Sequence, residues 1–168
     1  MQNERKVTRP YLAIFVLVIA LATIYWGQGK KFIGFAFNPN DTSCLPELHL
    51  ALLVYSRPTD IRHDMYIFWK PRGALSYVTQ TYVLKKVAAV PGDRLLINNG
   101  KVFVNGQLVV SGFEDAPIYH KPPEAFYRSE IVPPNSYFMI GTAQYSNDSR
   151  YWGYLSSDEI VGRGFRVF

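Results

Sequence analysis

Apolar and polar positions divide the chain into two unlike parts. Residues 11–26 form an uncharged apolar run that ends in Tyr25-Trp26, aromatics suited to a membrane interface, and the run reads as a helix in lipid. It is slightly under the ~20 residues that cross a bilayer, although Pro10 and Gly27 to Gly29 extend it. Two readings stand: a transmembrane anchor retained over residues 10–29, or a leader cleaved after Ala20-Leu21-Ala22 with Arg5, Lys6 and Arg9 as its basic region. The anchor is preferred because apolar residues continue past that site to Trp26. Both readings export residues 30–168. The three basic residues before the run argue for a cytoplasmic segment 1–9, while Lys30 and Lys31 on the far flank argue against it.

From Leu48 onward the pattern changes to short runs rich in Val, Ile, Tyr and Phe, broken by Gly, Pro and Asn, without sustained helical periodicity. It predicts a mainly β domain with strands over 49–55, 65–69, 77–90, 94–97, 101–104, 107–110, 136–140 and 160–168. Asn99-Gly100 and Asn105-Gly106 sit between apolar runs. Their tolerance of left-handed backbone makes tight hairpins, so residues 94–110 read as a small meander. Residues 112–134 carry five prolines and neither period, and are expected to form a surface excursion or cap.

Composition narrows the functions. At 168 residues, 48% hydrophobic and 18% charged, the chain holds enough material for one core behind the N-terminal run. The formal charge is +5, yet three of the 18 basic residues precede that run and the rest are scattered, so no nucleic-acid partner is expected. Cys44, the only cysteine, has no partner for an internal disulfide. His49, His63 and His120 show no ligand spacing with it, so no metal is expected, and no glycine-rich phosphate loop points to a cofactor.

Lys85 and Lys86 interrupt a strand whose two alternating faces are both largely apolar. Neighbouring strand residues point to opposite faces, so one lysine projects from each. Burial disfavours the ammonium, which moves a lysine toward the range of a general base, whereas an amine that snorkels to water along its stem stays ordinary.

The segment from Tyr82 to Asp93, with Lys85-Lys86 and Pro91-Gly92-Asp93, resembles the lysine box of type I signal peptidases. Ser43-Cys44-Leu45-Pro46 resembles their serine box, and Ser146-Asn147-Asp148-Ser149-Arg150-Tyr151-Trp152-Gly153 is similar to the last box, the most specific of the matches. Val102 to Gly106 resembles the hairpin after the lysine box, so the likeness covers most of the chain beyond Asn38. The resemblance implies an antiparallel two-sheet domain behind one N-terminal transmembrane helix, in the bacterial inner membrane with its site on the periplasmic side. It implies a serine endopeptidase that cleaves exported precursors after small residues. Ser43 is then the nucleophile and Lys85 the base, a hydroxyl being reactive only once a neighbour takes its proton. Ser146 orients the Lys85 amine, the Ser43 backbone N–H serves the oxyanion, and Asp148 and Arg150 form a supporting ion pair. Chain size, the single span and the 38–46 context look most like the conjugative-transfer branch, whose members process pilin precursors and in some cases join pilin ends.

Departures point to a specialised branch or to a degenerate enzyme. Asp41 stands where relatives carry a Ser or Thr as second oxyanion donor, and an ionised carboxylate only accepts hydrogen bonds, which leaves Thr42, a backbone amide or a protonated Asp41 as substitutes. Cys44, Thr142-Ala143 and Arg62-His63-Asp64 also differ from the common pattern. The rivals are a Ser-His-Asp triad using His63 or His120, which lacks the Gly-x-Ser-x-Gly turn, a Cys44 thiol nucleophile, and an inactive membrane-anchored assembly factor of a pilus or secretion channel.

Overall fold

The structure, a computed structural model, describes residues 8–27, 29–38, 43–76, 78–79 and 81–167. It opens on helix α1 (Thr8–Gly27). Ile14, Phe15, Val16 and Leu17, successive residues that point 100° apart around the axis, are each more than half exposed. A helix apolar on every side has no core face of its own to bury. Among the described residues no helix is long and apolar enough to cross a membrane. The uncharged run in α1 rises about 24 Å, against the ~30 Å of a hydrocarbon core. The span expected over 10–29 is therefore met by a helix that ends at Gly27, with Gln28 outside the described residues.

Eleven strands follow among the described residues: β1 (Ile33–Phe37), β2 (Leu50–Val54), β3 (Tyr66–Trp69), β4 (Val83–Ala89), β5 (Arg94–Asn98), β6 (Lys101–Val104), β7 (Gln107–Ser111), β8 (Arg128–Ile131), β9 (Ser136–Ile140), β10 (Leu155–Ser156) and β11 (Ile160–Arg166). They form two sheets, β1-β2-β11-β3-β4-β9-β10 and β7-β6-β5-β8, with antiparallel neighbours throughout. Leu95, Ile97, Val102 and Val104 of the smaller sheet meet Ala88, Phe138 and Ile140 of the larger one in the main core. The period of two sends the alternate residues of β4 and β9, Val87 and Met139, into a second cluster with Ile67, Trp69 and Leu155.

The meander stands where the Asn-Gly pairs place it. Asn99 and Gly100 have φ of 48° and 68°, and Asn105 and Gly106 have 51° and 82°, the paired left-handed residues that match the twist of a hairpin. Three expectations change. Residues 112–134 cap the main core rather than make a surface excursion: they plant Phe113, Ala116, Phe126 and Val132 in it and supply β8 as an edge strand. Of the strand expected over 77–90, with residues 77 and 80 outside the described residues, the part observed is Val83–Ala89, and Val83 lies opposite Trp69, where β3 runs out. β1 was not foreseen because its large residues face outward, with Phe35 61% and Phe37 69% exposed while Gly34 and Ala36 face in, the reverse of the usual alternation.

Candidate active site

The register of β4 decides which lysine is buried. Lys85 lies opposite Ile67 and shares its face with Val87, so its side chain enters the interior and only 2% of the residue is exposed. Its Nζ donates to Ser146 Oγ at 3.1 Å. Lys86 points the other way to a half-open surface and pairs with Asp64 at 2.8 Å.

Ser146 is held by the loop after β9. Helix α2 (Ser149–Trp152) is capped by Asp148, which accepts from the Arg150 N–H at 3.2 Å and from the Gly141 N–H at 3.1 Å. The Arg150 guanidinium grips the same carboxylate through Nε at 2.8 Å and Nη2 at 2.9 Å, both residues being fully buried. It also donates to the Ser146 carbonyl at 3.1 Å and to the Gly112 carbonyl at 2.6 Å. One cation thus joins the Lys85 partner to the end of β7. Burial acts to lower the guanidinium's pKa, but the Asp148 carboxylate outweighs it and the net shift is upward, so Arg150 stays charged. Close by, burial raises the Tyr151 phenol to about 12, so its neutral hydroxyl accepts from the Asp115 N–H at 3.2 Å.

Ser43 reaches the site through backbone bonds. The Cys44 carbonyl accepts from the Thr142 N–H at 2.8 Å and the Ala143 N–H at 3.2 Å, and Leu45 and Leu48 bury against Phe68. Gly141 makes this approach feasible. A Cβ there would lie 2.2 Å from Ser146 Oγ and 2.6 Å from the Cys44 carbonyl oxygen. Ser43 Oγ accepts from Asn38 Nδ2 at 2.6 Å and from the Leu45 N–H at 3.2 Å. Ser43 and Lys85 line one cleft of about 480 Å³ with Asn38, Cys44, Leu84 and Asn147. The hydroxyl and the amine are not hydrogen-bonded to each other; such contacts commonly tighten only when substrate binds. Asp41 and Thr42 lie outside the described residues.

Of the rival groups, Cys44 shares the Ser43 cleft, whereas His63 sits elsewhere. His63 Nε2 pairs with Asp93 Oδ2 at 2.7 Å and lines a separate cleft of about 530 Å³ with Lys86 and Asn105, to which Ser43 does not contribute. Burial pushes the Asp93 carboxyl up, but the Val90 N–H, the Asn105 amide and the His63 ring together bring it below its ordinary value. Asp93 therefore ties the turn at Gly92 to the hairpin at Asn105. Among the described residues no three His, Cys, Asp or Glu side chains gather to hold a metal ion. Sequence reasoning missed Asn38 and the Cys44 carbonyl. Neither has a signal in a single chain, because an Asn at the end of a strand and a main-chain oxygen both look ordinary.

Residues 9–168 match the family described as signal peptidase, peptidase S26. A probable signal peptidase I-1 of Synechocystis sp. is 33% identical over 167 residues, covering 94% of this chain and 80% of that protein. The probable signal peptidase I-2 of Synechocystis sp. is 31% identical over 86 residues, 51% of this chain. The signal peptidase I of Leptolyngbya laminosa is 31% identical over 81 residues, 48% of this chain. In each of these last two the match spans 37% of the relative's own length.

Proposed function

The chain belongs to the signal peptidase family, peptidase S26, and from that premise we propose that it is a membrane-anchored serine endopeptidase working through Ser43 and Lys85. The observation that carries the reading is the buried Lys85 amine, held by Ser146 at 3.1 Å in the same cleft as the Ser43 hydroxyl. Lys85 takes the hydroxyl proton as Oγ attacks the scissile carbonyl. The resulting ammonium then protonates the departing amine, and water releases the acyl group from Ser43 by the reverse proton path. The Ser43 backbone N–H serves the developing oxyanion, a contribution of roughly 3 kcal/mol for a donor of this kind. Ser146 keeps the amine aimed, and the Asp148–Arg150 pair keeps Ser146 in place.

The anchor in this reading is the segment 10–29, which helix α1 occupies as far as Gly27. Its all-round apolar exposure supports that role, and local thinning of the bilayer accommodates a run somewhat short of the full span. Tyr25 at its end packs against Phe35 at 6.4 Å, and exposed Phe32, Phe35 and Phe37 continue the apolar surface toward Asn38. The site then lies at the outer face of the inner membrane, with a periplasmic domain over 30–168 and segment 1–9 in the cytoplasm. The substrate is an exported precursor cut after small residues. Conjugative pilin is the specific precursor favoured by the chain's size, its single N-terminal span and the 38–46 context. The test incubates the detergent-solubilised chain with a pilin precursor and with a general secretory precursor, comparing wild type with Ser43→Ala and Lys85→Ala. Processing of the pilin by wild type alone supports the whole reading, and processing of the general precursor alone removes the pilin assignment. Equal product from all three proteins rejects the dyad. Tight binding without product from any of them marks an assembly factor.

A further inference from the structure

The bonds around the nucleophile contain a donor that the proposed reaction has not yet used. Asn38, the residue after β1, has its backbone N–H fixed by the His49 carbonyl at 2.9 Å, which leaves its side-chain amide aimed at Ser43. Nδ2 lies 2.6 Å from Ser43 Oγ, and the Leu45 N–H reaches the same oxygen at 3.2 Å. A hydroxyl has two acceptor lone pairs and one proton. With both lone pairs engaged by N–H donors, the Ser43 proton is left to be given away, and the neighbouring base in the cleft is Lys85.

Resting on the Ser43–Lys85 reading, we infer that Asn38 is a catalytic residue that supplies the side-chain donor of the oxyanion site. In the tetrahedral adduct the former carbonyl oxygen and Ser43 Oγ are bonded to the same carbon, so the new oxyanion forms beside the amide that was bonded to Oγ. As Oγ gives its lone pair to the new C–O bond, its need for the Asn38 donor falls while that of the oxyanion rises. The N–H moves from one oxygen to the other without a change of rotamer. An interaction that strengthens only as charge develops lowers the barrier without tightening substrate binding.

The experiment measures kcat and KM separately on a precursor-derived peptide, using the full chain in mild detergent. Asn38→Asp keeps the shape and removes the donor, and Asn38→Leu keeps the bulk without adding charge. A lost side-chain oxyanion donor costs roughly 100- to 1,000-fold in kcat, and KM is expected to stay within about threefold, with urea midpoints equal to wild type. A folded variant of either kind that retains kcat within threefold of wild type overturns the inference, as does a loss that falls on KM. Loss of the urea midpoint in both variants assigns Asn38 a structural role and overturns it too. Ser43→Ala run alongside separates the two levels: activity surviving in that variant overturns the dyad itself, whereas an inactive Ser43→Ala beside a fully active Asn38→Asp overturns only the role of Asn38.

Discussion

Replacing Asp148 by Asn tests whether the buried ion pair holds the site together. Asp148 accepts four hydrogen bonds: two from the Arg150 guanidinium at 2.8 and 2.9 Å, one from the Arg150 N–H at 3.2 Å and one from the Gly141 N–H at 3.1 Å. Neither partner of the pair is exposed at all. An amide in place of the carboxylate turns one acceptor into a donor facing other donors, and leaves Arg150 as an uncompensated charge in the interior. Removal of one member of a buried pair destabilises by roughly 3–5 kcal/mol. With a urea dependence of about 2 kcal/mol per molar, the midpoint falls by roughly 1.5–2.5 M. Tryptophan fluorescence reads the transition, because Trp69 is buried and its ring centroid lies 6.1 Å from that of Trp152, the last residue of the helix that Asp148 caps. Asp60→Asn, which breaks a pair exposed on both sides, is the control and is expected to leave the midpoint unchanged. A fall of less than about 0.5 M in Asp148→Asn refutes a structural role for the pair.

Three further outcomes follow from the same geometry. Ser146→Ala removes the partner of Lys85, and activity is expected to drop roughly 10- to 100-fold, with a loss of about 1–3 kcal/mol of stability from the unpaired buried amine, read from the urea midpoint. In Gly141→Ala the new methyl collides with Ser146 Oγ and the Cys44 carbonyl, so peptidase activity is lost and stability falls by about 1–3 kcal/mol, measured on the same preparation. The Asp93 carboxyl lies below its ordinary 3.8 in the folded chain, so it binds a proton less readily folded than unfolded. Its contribution is complete above 3.8 and is lost as pH falls through the lower folded value. Urea midpoints taken from about pH 5 to pH 3 should therefore fall more steeply in wild type than in Asp93→Asn.

What the sequence revealed follows from where each signal resides. The meander was legible because Asn-Gly pairs demand a left-handed backbone, and both pairs adopt it. The buried lysine was legible as one of two, since alternation requires opposite faces, but only the pairing of Lys85 with Ile67 decides which one turns inward. β1 was hidden by aromatics that face away from the core. β8 was hidden because Arg128, Ser129 and Glu130 give an edge strand no apolar period, its place being fixed by pairing with β5 and by Arg128 donating to the Ser149 carbonyl at 3.0 Å. Residues 112–134 misled because their prolines suggested a loop, while Phe113 and Phe126, spaced without period, pack with Tyr151 in a cluster that only tertiary contact assembles. For the proposed site, boxes far apart in sequence pointed to Ser43, Lys85 and Ser146. The Cys44 carbonyl and Asn38 could be found only once the loops were in place.

The most direct measurement is to trap the acyl group. A peptide activated as an ester at a C-terminal alanine is offered to wild type, Lys85→Met and Ser43→Ala, and the modified residue is mapped by tandem mass spectrometry. A nucleophilic Ser43 activated by Lys85 gives one ester adduct, on Ser43, in wild type alone. An adduct on Cys44, or one that forms on Ser43 at the same rate in Lys85→Met, contradicts the account.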